Sequence, residues 1–111
     1  MATAQVKPEA VREQLERVLL STPFAHRERA SKLLRFLVER RLENWENELK
    51  ESVIGVEVSG RPPDYNPKVD SIVRTEAARL RARLSRYYAA DGSRDEIVIV
   101  LPKGGYVPAF R

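Results

Sequence analysis

One segment of the chain, residues 71–89, combines an apolar stripe with five arginines. Its apolar residues recur every three or four positions and would share one side of an α-helix. They are Val73, Ala77, Leu80, Leu84 and either Tyr87 or Tyr88. A helix with one wide apolar side must bury that side against other elements. The segment therefore predicts a packed helix whose arginines remain on the outside or on the flanks.

The positive charge of the chain is concentrated in two segments. Residues 71–89 contain five arginines and one glutamate, a net charge of +4 that equals the net charge of the whole 111-residue chain. Residues 27–43 contain six positive and three negative side chains, a net charge of +3, and the remaining segments cancel this surplus. Concentrated positive charge is typical of proteins that bind a phosphate backbone.

The composition excludes several classes of function. The sequence has no cysteine, which excludes zinc fingers, thiol catalysis and disulfide frameworks. His26 is the only histidine, and no carboxylate lies at ligand spacing from it, so we expect no metal site, cofactor or catalytic residue. No apolar run approaches the roughly 20 residues of a membrane span, and the N-terminus lacks a secretory signal. We expect a cytoplasmic domain without enzymatic activity or membrane contact.

Two further long helices and a shorter element precede the arginine-rich segment. Pro8 opens a predicted helix that ends near residues 21–23, and residues 27–42 form the strongest core-forming helix. Residues 49–58 predict a helix of two or three turns, with a strand as the alternative for residues 53–58 because β-branched residues dominate there.

A loop and a hairpin complete the predicted elements. Three prolines and a glycine exclude regular structure over residues 60–67, which leaves an ordered or a mobile loop. Asp70 is well placed to cap the arginine-rich helix. After that helix, a β-run at residues 97–101, a tip at residues 102–105 and a returning strand at residues 106–107 predict a hairpin.

This order of elements predicts an α+β fold, a winged helix-turn-helix of three to four helices with a C-terminal β-hairpin wing. We expect residues 1–23 to form an N-terminal helical extension and residues 24–111 to form the winged domain. Because the chain ends directly after the last predicted strand, the domain is also expected to head a longer chain.

The residues themselves resemble a known family. Arg79-Leu80-Arg81-Ala82-Arg83-Leu84, followed by a hairpin ending Gly105-Tyr106, is similar to the recognition helix and wing of OmpR/PhoB-type DNA-binding domains, which also head CadC-like regulators. The resemblance implies that residues 71–89 lie in the major groove and that the wing, residues 97–108, lies near the minor groove. It further implies that Arg79 and Arg81 face the groove and that Lys103 is the wing cation.

A bacterial subgroup of these domains is still more similar. The similarity covers residues 24–110 and includes Ile54-Gly55-Val56-Glu57-Val58, Asp64-Tyr65-Asn66-Pro67 and Leu101-Pro102-Lys103-Gly104-Gly105-Tyr106. Members of this subgroup often precede a membrane segment, TPR repeats or a signalling domain. The chain departs from the family in three ways: it lacks the N-terminal β-sheet, has Pro102-Lys103 in the wing, and has Glu76 inside the recognition helix.

We therefore predict that the chain binds double-stranded DNA as a bacterial transcriptional regulator. The candidate residues fall into backbone anchors, base contacts, flanking phosphate contacts and a wing contact. The anchors are Lys50, Arg61, Lys68 and Arg74, the base contacts Thr75, Arg79 and Arg86, the flanking contacts Arg81 and Arg83, and the wing contact Lys103.

The alternative is a protein-interaction or dimerisation module without sequence-specific DNA binding. In that case residues 11–20 and the basic face would dock an acidic partner, a downstream signalling domain or a second copy of the chain. A flat basic surface near Ala78 and Ala82 would favour DNA. An apolar patch continuous with Val11 and Leu15 would favour a protein partner.

Overall fold

Four α-helices and a C-terminal two-stranded hairpin follow one another along residues 6–111, the part of the chain that the computed structural model describes. The elements are α1 (Pro8–Leu19), α2 (Glu28–Leu42), a 3-10 turn (Glu46–Glu48), α3 (Glu51–Glu57), α4 (Ile72–Ala89), β1 (Ile99–Val100) and β2 (Ala109–Phe110). The predicted α+β class is confirmed. Residues 1–5 of the predicted N-terminal extension lie outside the described residues.

Helix α1 packs its apolar side into the main core. It begins at Pro8, where the missing N–H of proline costs no helical hydrogen bond. Val11, Leu15 and Val18 recur on one side and are fully buried in the same hydrophobic cluster as residues of α2 and α4. The first helix is thus packed against the elements that follow it.

Helices α2 and α3 supply the next layer of the core. Leu33, Leu34, Leu37 and Val38 of α2 are buried on one side, as the helical spacing predicts. The strand alternative for residues 53–58 is wrong, because Glu51–Glu57 is helical. A helix pairs its backbone groups locally while it buries apolar side chains, whereas a strand here would need a neighbouring strand.

Helix α4 is the element on which α2, α3 and β1 all pack. Its buried residues are Val73, Ala77, Leu80, Leu84 and Tyr87, which confirms the predicted stripe and selects Tyr87 as the core ring. At its start, the backbone N–H of Ile72 donates to Asp70 Oδ1 at 3.1 Å. At its end, Gly92 N–H donates to the Tyr87 carbonyl at 2.8 Å, and a Cβ on Gly92 would lie 2.2 Å from the Tyr87 ring.

The hairpin is antiparallel, with Ile99 paired to Phe110 and Val100 paired to Ala109. The predicted returning strand at residues 106–107 is wrong, because the second strand begins only at Ala109. Pro108 has no N–H to donate to a ladder, and Gly104 adopts a left-handed φ of 85° in the turn before it. The connection is therefore a wide loop over residues 101–108.

A polar network joins α1, α4 and the segment before the hairpin. The buried amide of Gln14 donates to Asp95 Oδ2 at 2.8 Å, and the Tyr87 hydroxyl donates to the same carboxylate. Tyr88 donates to the Ile97 carbonyl and accepts from the Ile99 N–H at 2.8 Å. Burial, followed by the Asp95 carboxylate, raises the pKa of Tyr87 to about 12. These contacts fix the end of α4 relative to α1 and β1.

Candidate nucleic-acid interface

The outer side of α4 is exposed and free of large apolar residues. Helical spacing places this side opposite the buried stripe, so the same periodicity determines both. Its exposed residues are Thr75, Ala78, Arg79, Ala82 and Arg86. Small side chains between arginines allow a helix backbone to approach a groove while the guanidinium groups reach past them.

Both arginines of the outer side, Arg79 and Arg86, have no carboxylate partner in the described part of the chain. Within residues 6–111, neither Arg79 nor Arg86 forms an ion pair or a side-chain hydrogen bond. Arg86 lies in the last turn of α4, where the helix dipole favours a positive charge. Both guanidinium groups are free to donate to an incoming anion.

Arg83 lies on the flank of α4 and is half-buried. Its Nη1 donates to the carbonyl of Pro23, in the turn between α1 and α2, at 3.0 Å. Burial lowers the pKa of Arg83, and the positive charges of Arg27, Arg86 and Arg79 lower it further. Three positive side chains thus act on this guanidinium group, two from α4 and one from the residue before α2.

The first half of α4 is electrically compensated. Arg74 Nη1 lies 2.5 Å from Glu51 Oε2, at the start of α3. Glu76 accepts a hydrogen bond of 2.8 Å from Ser59 and lies 3.9 Å from the guanidinium of Arg29. The carboxylate of Glu76 therefore faces α2 and the end of α3, where Arg29 and Ser59 are its partners.

Arg81 is committed to the hairpin. Its Nε donates to the Leu101 carbonyl at 3.1 Å, and its Nη2 donates to the carbonyls of Pro102 at 3.1 Å and Gly105 at 2.9 Å. These bonds hold both ends of the tip against α4. Lys103, between them, is exposed and forms no ion pair or side-chain hydrogen bond within residues 6–111.

The proline-rich segment before α4 is an ordered loop, which decides between the two predicted alternatives. The Tyr65 hydroxyl donates to the Glu51 carbonyl at 2.7 Å, and its ring lies over Gly55, where a Cβ would be 2.0 Å from the tyrosine oxygen. Arg61 Nε lies 2.6 Å from Asp70 Oδ2, and this bond lowers the pKa of Asp70. The loop is thereby fixed between α3 and α4.

The four predicted backbone anchors differ in whether they already form an ion pair with a carboxylate. Arg61 and Arg74 are each paired with a carboxylate, whereas Lys50 and Lys68 are exposed and have no ion-pair partner within the described chain. An exposed ion pair contributes roughly 0–1 kcal/mol, so a phosphate can compete for the arginine. Lys50 and Lys68 can contact a phosphate without breaking an ion pair.

Sequence reasoning missed Arg27 and the structural role of Arg81. Arg27 precedes the first residue of α2, and its influence on Arg83 depends on how the turn between α1 and α2 packs against α4. Contacts between residues this distant in the chain leave no periodic signal. For Arg81, the local signal was only that it lies between the buried stripe and the outer side.

Residues 6–111 contain neither a candidate metal site nor a candidate membrane span. No group of three or more histidine, aspartate or glutamate side chains is arranged to hold a metal ion. No helix in this part of the chain has both the length and the apolar character needed to cross a membrane.

In comparisons with known proteins, no protein-family model, curated protein or solved structure matches the chain.

Proposed function

We propose that this α+β domain is a winged helix-turn-helix that binds double-stranded DNA and serves in bacterial transcriptional regulation in the cytoplasm. In this proposal α4 is the recognition helix, α3 is the positioning helix, and the C-terminal hairpin is the wing. The observation that carries the proposal is the exposed side of α4, where Arg79 and Arg86 have no carboxylate partner among residues 6–111 and the exposed residues between them, Ala82 and Ser85, are small.

The roles of the residues follow from their surroundings. Arg79, Arg86 and Thr75 are exposed on α4 and would contact base edges in the major groove. Lys50 and Lys68 would contact phosphates directly. These contacts combine positioning on the backbone with reading of bases, as DNA-binding domains require.

The remaining predicted residues either give up a protein partner to bind DNA or act by positioning another residue. Arg61 and Arg74 would exchange a carboxylate for a phosphate. Arg81 is assigned a positioning role, because its hydrogen bonds hold the hairpin tip that presents Lys103 to the backbone. Arg83 would act as a flanking phosphate contact while its bond to Pro23 is kept.

The alternative of a protein-interaction module depends on an apolar surface near α1. Val11 and Leu15, which were to extend such a patch, are fully buried in the core. The surface near Ala78 and Ala82 instead lies between arginines. These two observations argue against an apolar protein interface that includes Val11 and Leu15. The basic surface suits DNA or an acidic partner, and the polyglutamate control separates these two.

The test is a titration of duplex DNA over a range of salt concentrations, with the preferred site first selected from a random pool. If about five cations neutralise phosphates, the logarithm of the binding constant should fall with the logarithm of salt concentration with a slope near −4 to −5. Fluorescence anisotropy of a labelled duplex measures this slope.

The matched control is polyglutamate of similar charge. Equal affinity for polyglutamate and duplex DNA would favour the protein-interaction alternative. No binding of duplex DNA at low salt, or an affinity independent of salt, would contradict the proposal.

A further inference from the structure

Four arginines converge where the turn between α1 and α2 meets α4, and we call them the arginine cluster: Arg27, Arg79, Arg83 and Arg86. Three come from α4, and Arg27 comes from the residue that precedes α2. Arg27 and Arg83 line two neighbouring clefts, and Arg79 and Arg86 each line one of them. Arg27 belongs to no motif of the sequence.

Clefts on both sides of Arg83 give the cluster room for a ligand. One cleft, of about 410 Å³, is lined by Arg27, Arg79 and Arg83 together with His26. The other, of about 630 Å³, is lined by Arg27, Arg83 and Arg86. Arg27 and Arg83 border both, so each cleft is lined by at least three arginines.

The cluster differs from most of the other arginines of the fold, although Arg40, Arg81, Arg94 and Arg111 likewise have no carboxylate partner among residues 6–111. Seven arginines elsewhere lie within 4.0 Å of a carboxylate, namely Arg12, Arg17, Arg29, Arg35, Arg41, Arg61 and Arg74. None of the four cluster arginines has such a partner among residues 6–111.

Carboxylates do border the clefts. Glu28 and Glu76 line the first, and Asp91 lines the second. Glu76 already has Ser59 and Arg29 as partners. Each cleft keeps a positive excess, with four arginines, counting Arg29, against two glutamates in the first and three arginines against one aspartate in the second.

We propose that the arginine cluster is a phosphate-binding site in which Arg27 of the α1–α2 turn and Arg83 of α4, which line both clefts, hold a phosphate group, while Arg79 and Arg86 beside them add positive charge and reach the neighbouring bases. The planar guanidinium group can donate two parallel N–H bonds to two oxygens of a tetrahedral phosphate group. In the complex proposed above, which this inference extends, the phosphate group belongs to the DNA backbone beside the groove that α4 enters. The turn between α1 and α2 is then a second anchor on the same strand.

The experiment compares two single-charge variants, Arg27→Gln and Arg94→Gln. Both residues are exposed, and neither has an ion-pair partner in the described part of the chain, but only Arg27 belongs to the cluster. Thermal melts are measured with inorganic pyrophosphate against chloride at equal ionic strength, and a labelled duplex is titrated at several salt concentrations. Melts without ligand establish that both variants fold.

Arg27→Gln should lose most of the stabilisation by pyrophosphate. It should also weaken duplex binding by about fivefold near 0.1 M salt and make the salt slope shallower by about 0.9. Arg94→Gln should match the parent chain in both assays. Loss of the pyrophosphate effect without any change in duplex binding would keep the site and identify free phosphates as its ligand.

Two results separate this inference from the proposed function. If the parent chain binds duplex DNA and Arg27→Gln equals Arg94→Gln in both assays, the phosphate site is wrong and DNA binding stands. If the parent chain binds no duplex DNA, the thermal melts with pyrophosphate alone test the phosphate site. Equal shifts in melting temperature for Arg27→Gln and Arg94→Gln would then show that the proposed site is wrong.

Discussion

The two halves of α4 share one buried stripe but differ in their charge. Residues 72–78 contain one arginine and one glutamate, so their net charge is zero, whereas residues 79–89 contain four arginines and no acid. In the first half, Arg74 and Glu76 both have partners of opposite charge on neighbouring elements. In the second half, Arg81 and Arg83 donate to backbone carbonyls, and Arg79 and Arg86 have no partner among residues 6–111.

This difference indicates which part of the helix holds the fold and which part is available to an anion. Ion pairs at the start of α4 connect it to α2 and α3. At the other end, the neutral hydroxyl of Tyr87 and the buried amide of Gln14 make the connection through Asp95. Because these anchors use no arginine of α4, Arg79 and Arg86 have no ion-pair partner among residues 6–111, and the helix dipole favours the charge of Arg86 in the last turn.

The largest expected effect tests whether both halves depend on the same buried stripe. Leu80 is fully buried near the middle of α4, so Leu80→Ala should destabilise the fold by about 2–5 kcal/mol through lost burial and a residual cavity. Arg86→Ala, on the exposed side, should change stability by no more than about 0.5 kcal/mol while it weakens DNA binding. Thermal melts and duplex titrations of both variants decide. If Arg86→Ala unfolded the domain while Leu80→Ala left it intact, α4 would be rotated about its axis relative to the buried stripe described above.

The next effect compares an unpaired arginine with a paired one. Arg79→Ala should cost about 1–3 kcal/mol of binding on the preferred duplex and should relax base preference there. Arg74→Ala should cost less, because Arg74 must first leave Glu51. Titrations of the preferred and a random duplex measure both. Equal losses on the two duplexes would make Arg79 a phosphate contact, and a larger loss for Arg74 would reverse the comparison between the halves.

A smaller effect concerns the three hydrogen bonds that Arg81 donates to the hairpin. Arg81→Lys keeps the charge but cannot reproduce three hydrogen bonds from a planar group, so stability should fall by about 1–2 kcal/mol. If Arg81 positions the tip, Lys103→Gln should weaken DNA binding in the parent chain and have little effect beside Arg81→Lys. Additive losses in this double-mutant cycle would instead assign the two residues independent contacts.

The smallest effect is the pH dependence of the anchor at the end of α4. The hydrogen bond from Gln14, then that from Tyr87, lowers the pKa of Asp95 below its ordinary value of 3.8. The carboxylate therefore stabilises the fold above about pH 4, and this contribution is lost as the pH falls through the lowered value. Melting temperatures of the parent chain and Asp95→Asn should differ at pH 7 and converge at lower pH. A constant difference would exclude this linkage.

Much of the fold could be predicted because helical periodicity is local. The positions of Val73, Leu80 and Leu84 alone determine which side of α4 is buried, and Pro8 marks the start of α1. The ends of the hairpin were harder to predict. Apolar residues at 106–107 resemble a strand, but pairing depends on the register with β1 and on Pro108, which cannot donate to the ladder.

The candidate interface was only partly predictable. The exposure of Thr75, Arg79 and Arg86 follows from their spacing against the buried stripe, and the structure places all three on the outer side. The environments of Arg81 and Arg83 do not follow from spacing, because their acceptors are carbonyls of the hairpin and of Pro23. A flank position on a helix does not reveal which distant backbone will lie beside it.

The sequence by itself determined the helices, the buried stripe of α4 and the concentration of positive charge on that segment, since composition and periodicity are properties of neighbouring residues. Only the tertiary structure decided which of those charges are compensated. Glu51 lies beside Arg74, and Arg27 lies near Arg83, because α3 and the α1–α2 turn pack against α4. Electrostatic interactions depend on distance in space, and folding brings together charges that are far apart along the chain.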